Sequence, residues 1–205
     1  MPSRRLGIVG TSSYAREVAA IAASSGYSVV GFIKKDGDLA QSNLSIIGTD
    51  EKTSEIIGDF NLSQIHIAVG DVTLRQIIAL KMGSIPYGKL INTNAVMMSE
   101  SIGDGTIVYP GVIVMTDCNI GRHCLINGRA YLGHDVSIGD FCNISPSVSI
   151  GGNVSVGAGT SIGIGASIRD GIQIGAGVTV GAGAVVVKDI PDNVVSYGNP
   201  SRVIS

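Results

Sequence analysis

The chain has 205 residues, a formal charge of −2, 4% aromatic residues, no tryptophan and 29 glycines. That length holds one large domain or two small ones, and a near-neutral chain without a basic run interleaved with aromatics offers no nucleic-acid surface. No apolar stretch approaches a membrane-spanning length, and Arg4 and Arg5 precede an apolar run too brief for a secretory signal, so a cytoplasmic location is expected.

Residues 6–9 form a short apolar strand ending in Gly10. Ser12 and Ser13 stand where a helix cap is expected. Tyr14, Val18, Ala19, Ile21 and Ala22 then recur at helical spacing, and Gly26 closes the segment. Residues 29–33 read as a second strand, 54–57 as a short helix, and 65–69 as a third strand ending in Gly70. Asp71 sits at the N-cap of a helix running to Met82, and residues 89–91 read as a fourth strand. Strands alternating with helices imply a small parallel α/β sheet with right-handed crossovers.

From Val96 to Val186 the pattern changes. Sixteen apolar residues recur at an interval of six (Val96, Ile102, Val108 and onward), and nine of the residues that follow them are glycine. Neither an α-helix nor a flat sheet requires that period, whereas a β-solenoid does: each short strand sends one anchor inward before the chain turns a corner. Three such hexads make a triangular turn of eighteen residues, so residues eighteen apart stack at about 4.8 Å and five turns build a prism about 24 Å long. Four residues after the anchors runs a second inward row of small residues, which includes Cys118, Cys124 and Cys142. Their spacing is not that of metal ligands, so they read as buried, reduced and space-filling. The tail after Val186 breaks the period and is expected to cap the open end. The expected domains are residues 1–92, 93–190 and a cap at 191–205.

The [Ile/Leu/Val]-Gly hexads, the ending IPDNVVSYGNPSRVI and the stretch INGRAYLGHDVSIGDFCNISPSVSIGGNVSVG resemble the bacterial hexapeptide-repeat sugar acyltransferases. With the small leading domain, the resemblance narrows to those acting on nucleotide-linked amino sugars, with the sialic acid O-acetyltransferases as close relatives. It implies a Rossmann-like N-terminal domain followed by a left-handed parallel β-helix. It also implies a homotrimer with active sites between neighbouring coils, acetyl-CoA as donor, and a nucleotide-sugar held by the N-terminal domain with its amine reaching a histidine.

Acyl transfer from a thioester needs a nucleophile relieved of its proton as it attacks. His134 follows Leu132-Gly133, so its side chain should leave the coil, and the adjacent Asp135 can stabilise the imidazolium; a solvated surface histidine is the plain alternative. Gly152 lies eighteen residues after His134, where the missing side chain can admit the thioester and the backbone N–H can polarise its carbonyl. An ordinary corner glycine is the alternative there. Pro146, Ile164 and Ala182 form another row, and the resemblance implies that backbone groups at Ile164 and Ala182 touch the pantetheine arm. It gives Asn143 a cofactor contact where some relatives carry histidine. Lys188 and Arg202 can meet phosphates or simply be solvated.

In the N-terminal domain, residues 10–15 join a strand to a helix, where backbone N–H groups can hold a diphosphate. A dinucleotide fingerprint would want glycines at Ser12 and Ala15, which disfavours NAD. The resemblance places Ser12, Ser13 and Tyr14 where relatives have a glycine-rich loop. It also places Lys34 and Lys35, with Asp36 just beyond, where relatives have acidic nucleotide contacts, and Gly70 close to the nucleotide. His66 alternates with isoleucines in a strand and reads as structural, while His123 is expected to point outward. Two coil histidines fall short of the three that a zinc site at a subunit interface needs, so no metal is expected.

The preferred expectation is an acetyl-CoA-dependent N-acetyltransferase acting on a nucleotide-linked amino-dideoxy sugar in surface polysaccharide synthesis. The alternatives are O-acetylation of sialic acid or another sugar, and a non-catalytic coil that binds ligand or builds an assembly.

Overall fold

The protein is described by a computed structural model covering residues 4–35 and 44–204; Asp36 lies outside the described residues. It divides into two compact units, Met1–Thr93 and Asn94–Ser205.

The N-terminal unit runs β1 (Arg4–Val9), α1 (Ser13–Ser24), β2 (Tyr27–Lys34), β3 (Ile46–Thr49), α2 (Thr53–Asp59), β4 (Gln64–Ile67) and α3 (Val72–Met82). Its four strands are all parallel, in the order β3-β2-β1-β4. Leu6, Ile8, Val9, Ile33, Ile65 and Ile67 are buried, the continuous apolar runs of strands covered on both faces. The short strand β3 carries no alternation that marks it in the sequence. It is recognised by its partners: Phe32 pairs with Ile46, and Gly48, at φ +153, lets α2 approach so closely that a Cβ would strike Ile56. Asp71 caps α3, its Oδ1 accepting from the Leu74 N–H at 2.7 Å. Ser12 occupies the N-cap position of α1 in extended conformation, but its hydroxyl makes no capping bond. The sheet order reverses direction at β1: β2 and β3 lie on one side of it and β4 on the other, which creates a crevice beyond the carboxyl ends of β1 and β4.

The second unit is a parallel β-helix of two-residue strands in three sheets. Ile120 pairs with Ile138, Ile126 with Ile144 and Leu132 with Ile150, each eighteen residues on. All the anchors from Ile102 to Val186 are buried. Val96 is the exception at 48% exposed. It pairs with Ile113 and Met97 pairs with Val114, an offset of seventeen. Because successive side chains of a strand face opposite ways, that one-residue slip turns Val96 outward and gives the anchor place to Met97.

The second inward row is buried too, and its polar members do more than fill space. The thiols of Cys118, Cys124 and Cys142 donate to the carbonyls of Gly133, Gly139 and Gly157 at 3.0, 3.1 and 3.1 Å. Thr106 and Thr160 make the same bond to Gly121 and Gly175 at 2.8 Å. Each corner is turned by a residue in the left-handed region, such as Asp117, Asp135 and Asn153 at φ 59, 58 and 59. The tail lays one more, shortened rung: Thr179 pairs with Val195 and Val180 with Ser196, an offset of sixteen. Arg202 and Val203 then fold back antiparallel on Tyr197 and Ser196 and cover that edge. Among the described residues no helix is long and apolar enough to cross a membrane.

Ile144 is fully buried at the centre of this stack. Ile144→Asp is expected to cost about 3–5 kcal/mol through an uncompensated buried charge, measured as a lower denaturant midpoint; an unchanged midpoint contradicts the packing. Burial also pushes the Cys118 thiol above its ordinary range. Since the thiolate is the reactive form, iodoacetamide is expected to spare Cys118 in the folded chain and to modify it once the chain is unfolded.

Candidate active site

The corner carrying His134 is built by stacking. Gly133 has no side chain because a Cβ there would lie 2.7 Å from the Gly152 nitrogen in the next layer. The chain then turns outward at His134 and passes through the left-handed Asp135. Both residues are tied to the layers beside them: the Asp135 N–H donates to Thr116 O at 3.0 Å, and His134 O accepts from the Asn153 N–H at 2.9 Å.

His134 Nδ1 lies 2.8 Å from Asp135 Oδ2, and the two side chains are 59% and 54% exposed. An ionised carboxylate only accepts, so the proton of the neutral ring sits on Nδ1 and the lone pair is on Nε2. A Cβ on Gly152 would lie 2.5 Å from Nε2 and 2.7 Å from Cε1 of that ring. The imidazole therefore rests over the glycine, and any side chain at 152 would displace it. Elsewhere along the coil an acid one layer on takes up the corner amide: Asp140 accepts from the Arg122 N–H at 2.7 Å, and Asp192 from the Ala176 N–H at 2.8 Å. At His134 the residue in that place is Gly152, and the imidazole lies over it. The arrangement is an imidazole oriented through Nδ1, with its Nε2 beside the Gly152 backbone.

The other expected cofactor residues fall elsewhere on the coil. Ile164 and Ala182 stack on one another at an exposed edge, with the Gly183 N–H donating to Ile164 O at 2.8 Å. That edge lies two hexads after Gly152 and is a different edge of the triangle. Asn143 is half-buried on the face that leads into it. The coil thus brings His134, Asp135 and Gly152 together on one edge, and Ile164 and Ala182 on another.

In the N-terminal unit, Ser12, Ser13 and Tyr14 follow β1, Lys34 ends β2 with Lys35 just beyond it, and Gly70 follows β4. All therefore gather at the carboxyl edge of the sheet. The ends of the strands are tied to one another: the Gly10 N–H donates to Ile33 O at 2.9 Å, and a Cβ on Gly10, at φ +123, would lie 2.7 Å from Ala68 O. Ser12, Ser13 and Gly70 are exposed, while Tyr14, Lys34 and Lys35 are half-buried.

Arg75 in α3 escapes the sequence reading. It is 0% exposed, and its Nη1 donates to Val69 O at 2.7 Å and Gly70 O at 3.1 Å. A lone arginine four residues after a helix cap carries no motif, and ordinarily it would be solvated. His66 is buried with Nδ1 3.3 Å from Gly88 O, as a structural residue. His123, expected to point outward, is buried: it lies between Gly105 and Phe141, stacked on that ring at 4.9 Å. Among the described residues no group of three or more His, Cys, Asp or Glu is placed to hold a metal.

Residues 5–82 match the family model of the PglD N-terminal domain, and residues 117–152 match that of the bacterial transferase hexapeptide (six repeats). PerB from Caulobacter crescentus, solved with CoA and GDP-perosamine, is 32% identical over 98% of this chain and 97% of its own, with a TM-score of 0.89. The acetyltransferase domain of PglB from Neisseria gonorrhoeae, solved with acetyl coenzyme A, is 29% identical over 98% and 100%, with a TM-score of 0.85. WeeI from Acinetobacter baumannii shares the fold, at 24% identity over 97% and 99% and a TM-score of 0.66. A comparison with curated protein sequences finds no match.

The contact between Gly152 and the imidazole generates a direct test. Gly152→Ala is expected to leave the unfolding midpoint nearly unchanged while lowering kcat about 100-fold through a displaced base. Full activity in that variant would mean that the ring does not work from this position.

Proposed function

This chain belongs to the PglD-like hexapeptide-repeat acetyltransferases, a family that uses acetyl-CoA, and we propose that it acetylates the amine of a nucleotide-linked amino-dideoxy sugar used in surface polysaccharide synthesis. The observation that carries the reading is the Asp135–His134 pair with Nε2 presented over Gly152.

In this mechanism the neutral amine of the sugar attacks the thioester carbonyl. As the C–N bond forms, His134 Nε2 takes a proton from the amine, and the Asp135 carboxylate stabilises the resulting imidazolium through Nδ1–H. The carbonyl oxygen gains negative charge at the tetrahedral centre, and the Gly152 N–H is the donor assigned to it. The C–S bond then breaks, the imidazolium gives its proton to the departing sulfur, and CoA leaves. Gly152 lets the imidazole lie against the next layer of the coil, where a side chain would push the base out of position. No metal takes part in the scheme.

The carrier contacts expected at Asn143, Ile164 and Ala182 belong to a different edge from Gly152, so one extended pantetheine arm meets both sets only where two copies adjoin. This supports a homotrimer whose sites are shared between protomers. The face between the two edges bears a column of exposed apolar side chains, Val96, Ile113 and Tyr131, suited to burial against another copy. The N-terminal unit would hold the nucleotide at Ser12, Ser13, Tyr14 and Gly70. Lys34 and Lys35, which only donate hydrogen bonds, would select an acceptor-rich partner there. Three free, buried cysteines suit a reducing cytoplasm.

The lysines also favour a second reading, in which the acceptor is an anionic sugar such as sialic acid and the acetyl group goes to a hydroxyl. Steady-state assays with acetyl-CoA and a panel comprising GDP-perosamine, other nucleotide amino sugars and sialic acid separate the two. Turnover of a nucleotide amino sugar is expected, and turnover of sialic acid alone contradicts the N-acetyl reading. With the accepted substrate, His134→Ala should lower kcat by about 10²–10⁴ in a folded protein, and Asp135→Asn should lower it less. Unchanged turnover in His134→Ala would remove the mechanism.

A further inference from the structure

The three edges of the coil differ in charge. The edge of Ile164 and Ala182 is formed by residues 109–111, 127–129, 145–147, 163–165 and 181–183, and its one charged residue is Arg129. The His134 edge carries Asp117 and Asp135 in adjacent layers, since the Asp135 N–H donates to Thr116 O. Two carboxylates stacked about 4.8 Å apart disfavour one another unless a cation lies near them. The third edge is charged along its length, with Asp104, Arg122, Asp140 and Asp192.

Arg129 and Asp117 are both exposed, and among the described residues neither side chain has a hydrogen bond or an ion pair. They stand on different edges, so they do not pair within one chain. Corner geometry does not explain Arg129 either. Its backbone is left-handed at φ 61, a conformation that favours asparagine and aspartate over arginine.

Height along the coil shows where the two charges would meet. The chain rises about 4.8 Å in eighteen residues, or about 1.6 Å in each hexad. In a closed ring whose axis runs along the coils, every copy presents a given residue at the same height. Asp117 then lies two hexads below Arg129, about 3.2 Å, and Asp135 one hexad above it, about 1.6 Å. The Arg129 stem runs back over Gly111, eighteen residues earlier, where a Cβ would lie 3.3 Å from Arg129 Cγ. The side chain therefore covers the interval of height in which Asp117 falls. The exposed apolar column of Val96, Ile113 and Tyr131 occupies the face between the two edges in these same layers.

We propose that Arg129 of one copy pairs with Asp117 of the next and closes the seam beside His134. At that height the guanidinium offsets the repulsion between the two stacked carboxylates and leaves Asp135 to hold His134 Nδ1. The proposal rests on the reading of a site shared between protomers of a trimer.

Light scattering on the unmodified chain over a dilution series tests that reading first. A trimer is expected, and a chain that forms none overturns the shared site and the pairing with it. Charge exchange then tests the pairing alone. Arg129→Asp and Asp117→Arg each set like charges across the seam. Each should raise the concentration at which the trimer dissociates by about tenfold or more, with acetyl transfer lost in the dissociated range. The double variant should regain both assembly and activity. A folded single variant that assembles like the unmodified chain, or a double variant that assembles no better than the single ones, overturns the pairing while the trimer stands. Should the reversals fail to fold, Arg129→Gln and Asp117→Asn decide. Each should weaken assembly, and their double variant should be no weaker than either alone, as coupled partners require; additive losses, or none, overturn the proposal.

Discussion

The coil follows from one constraint: from Ser101 to Val186 the strand of each layer is hydrogen-bonded to the strand eighteen residues away. The amide of one layer donates to a carbonyl of the next along all three faces, as from Leu125 to Cys142 and from Tyr131 to Val148. A two-residue strand has no independent stability, so the layers exist only as a stack. The constraint also decides composition. Where two corners meet backbone to backbone only glycine fits, as at Gly133, Gly139, Gly151 and Gly157. Where the corner turns, left-handed backbone admits glycine, asparagine and aspartate most readily.

The same register places the residues of the proposed site. It sets Gly152 directly beside the His134 ring, and it sets Asp135 at a left-handed corner from which its carboxylate reaches Nδ1. It also separates that edge from the one bearing Ile164 and Ala182, which is why a shared site between copies is part of the proposed account. The N-terminal unit works on a different principle. Its parallel sheet gathers residues from separate loops at one edge, and Arg75 braces the turn after β4 from inside.

The coil was legible because its signal is strictly periodic: anchors from Ile102 to Val186 are buried, and the stacking rule found Gly152 beside His134 from numbering alone. The rule failed at its first rung, where a seventeen-residue offset turns Val96 outward. It gave a direction for His123 but not its burial, because an outward direction does not ensure exposure when Phe141 stacks on the ring. The cysteines were rightly placed in the interior, but their bonds to glycine carbonyls depend on distances that composition does not carry. In the N-terminal unit, β3 was missed because a short strand is defined by its neighbour. Arg75 was missed because a side chain reaching back five and six residues to carbonyls leaves no pattern in the sequence.

The most direct test of the shared, coil-borne site is complementation between two inactive chains. His134→Ala removes the base from one edge, and Ala182→Arg blocks the carrier on the other. Each alone should be inactive. Chains mixed, unfolded and refolded together should regain a substantial fraction of acetyl transfer, because some interfaces then join an intact His134 edge to an intact Ala182 edge. If the refolded mixture stays inactive while the unmodified chain, taken through the same cycle, refolds to full activity, the base and the carrier do not meet across protomers, and the account is wrong.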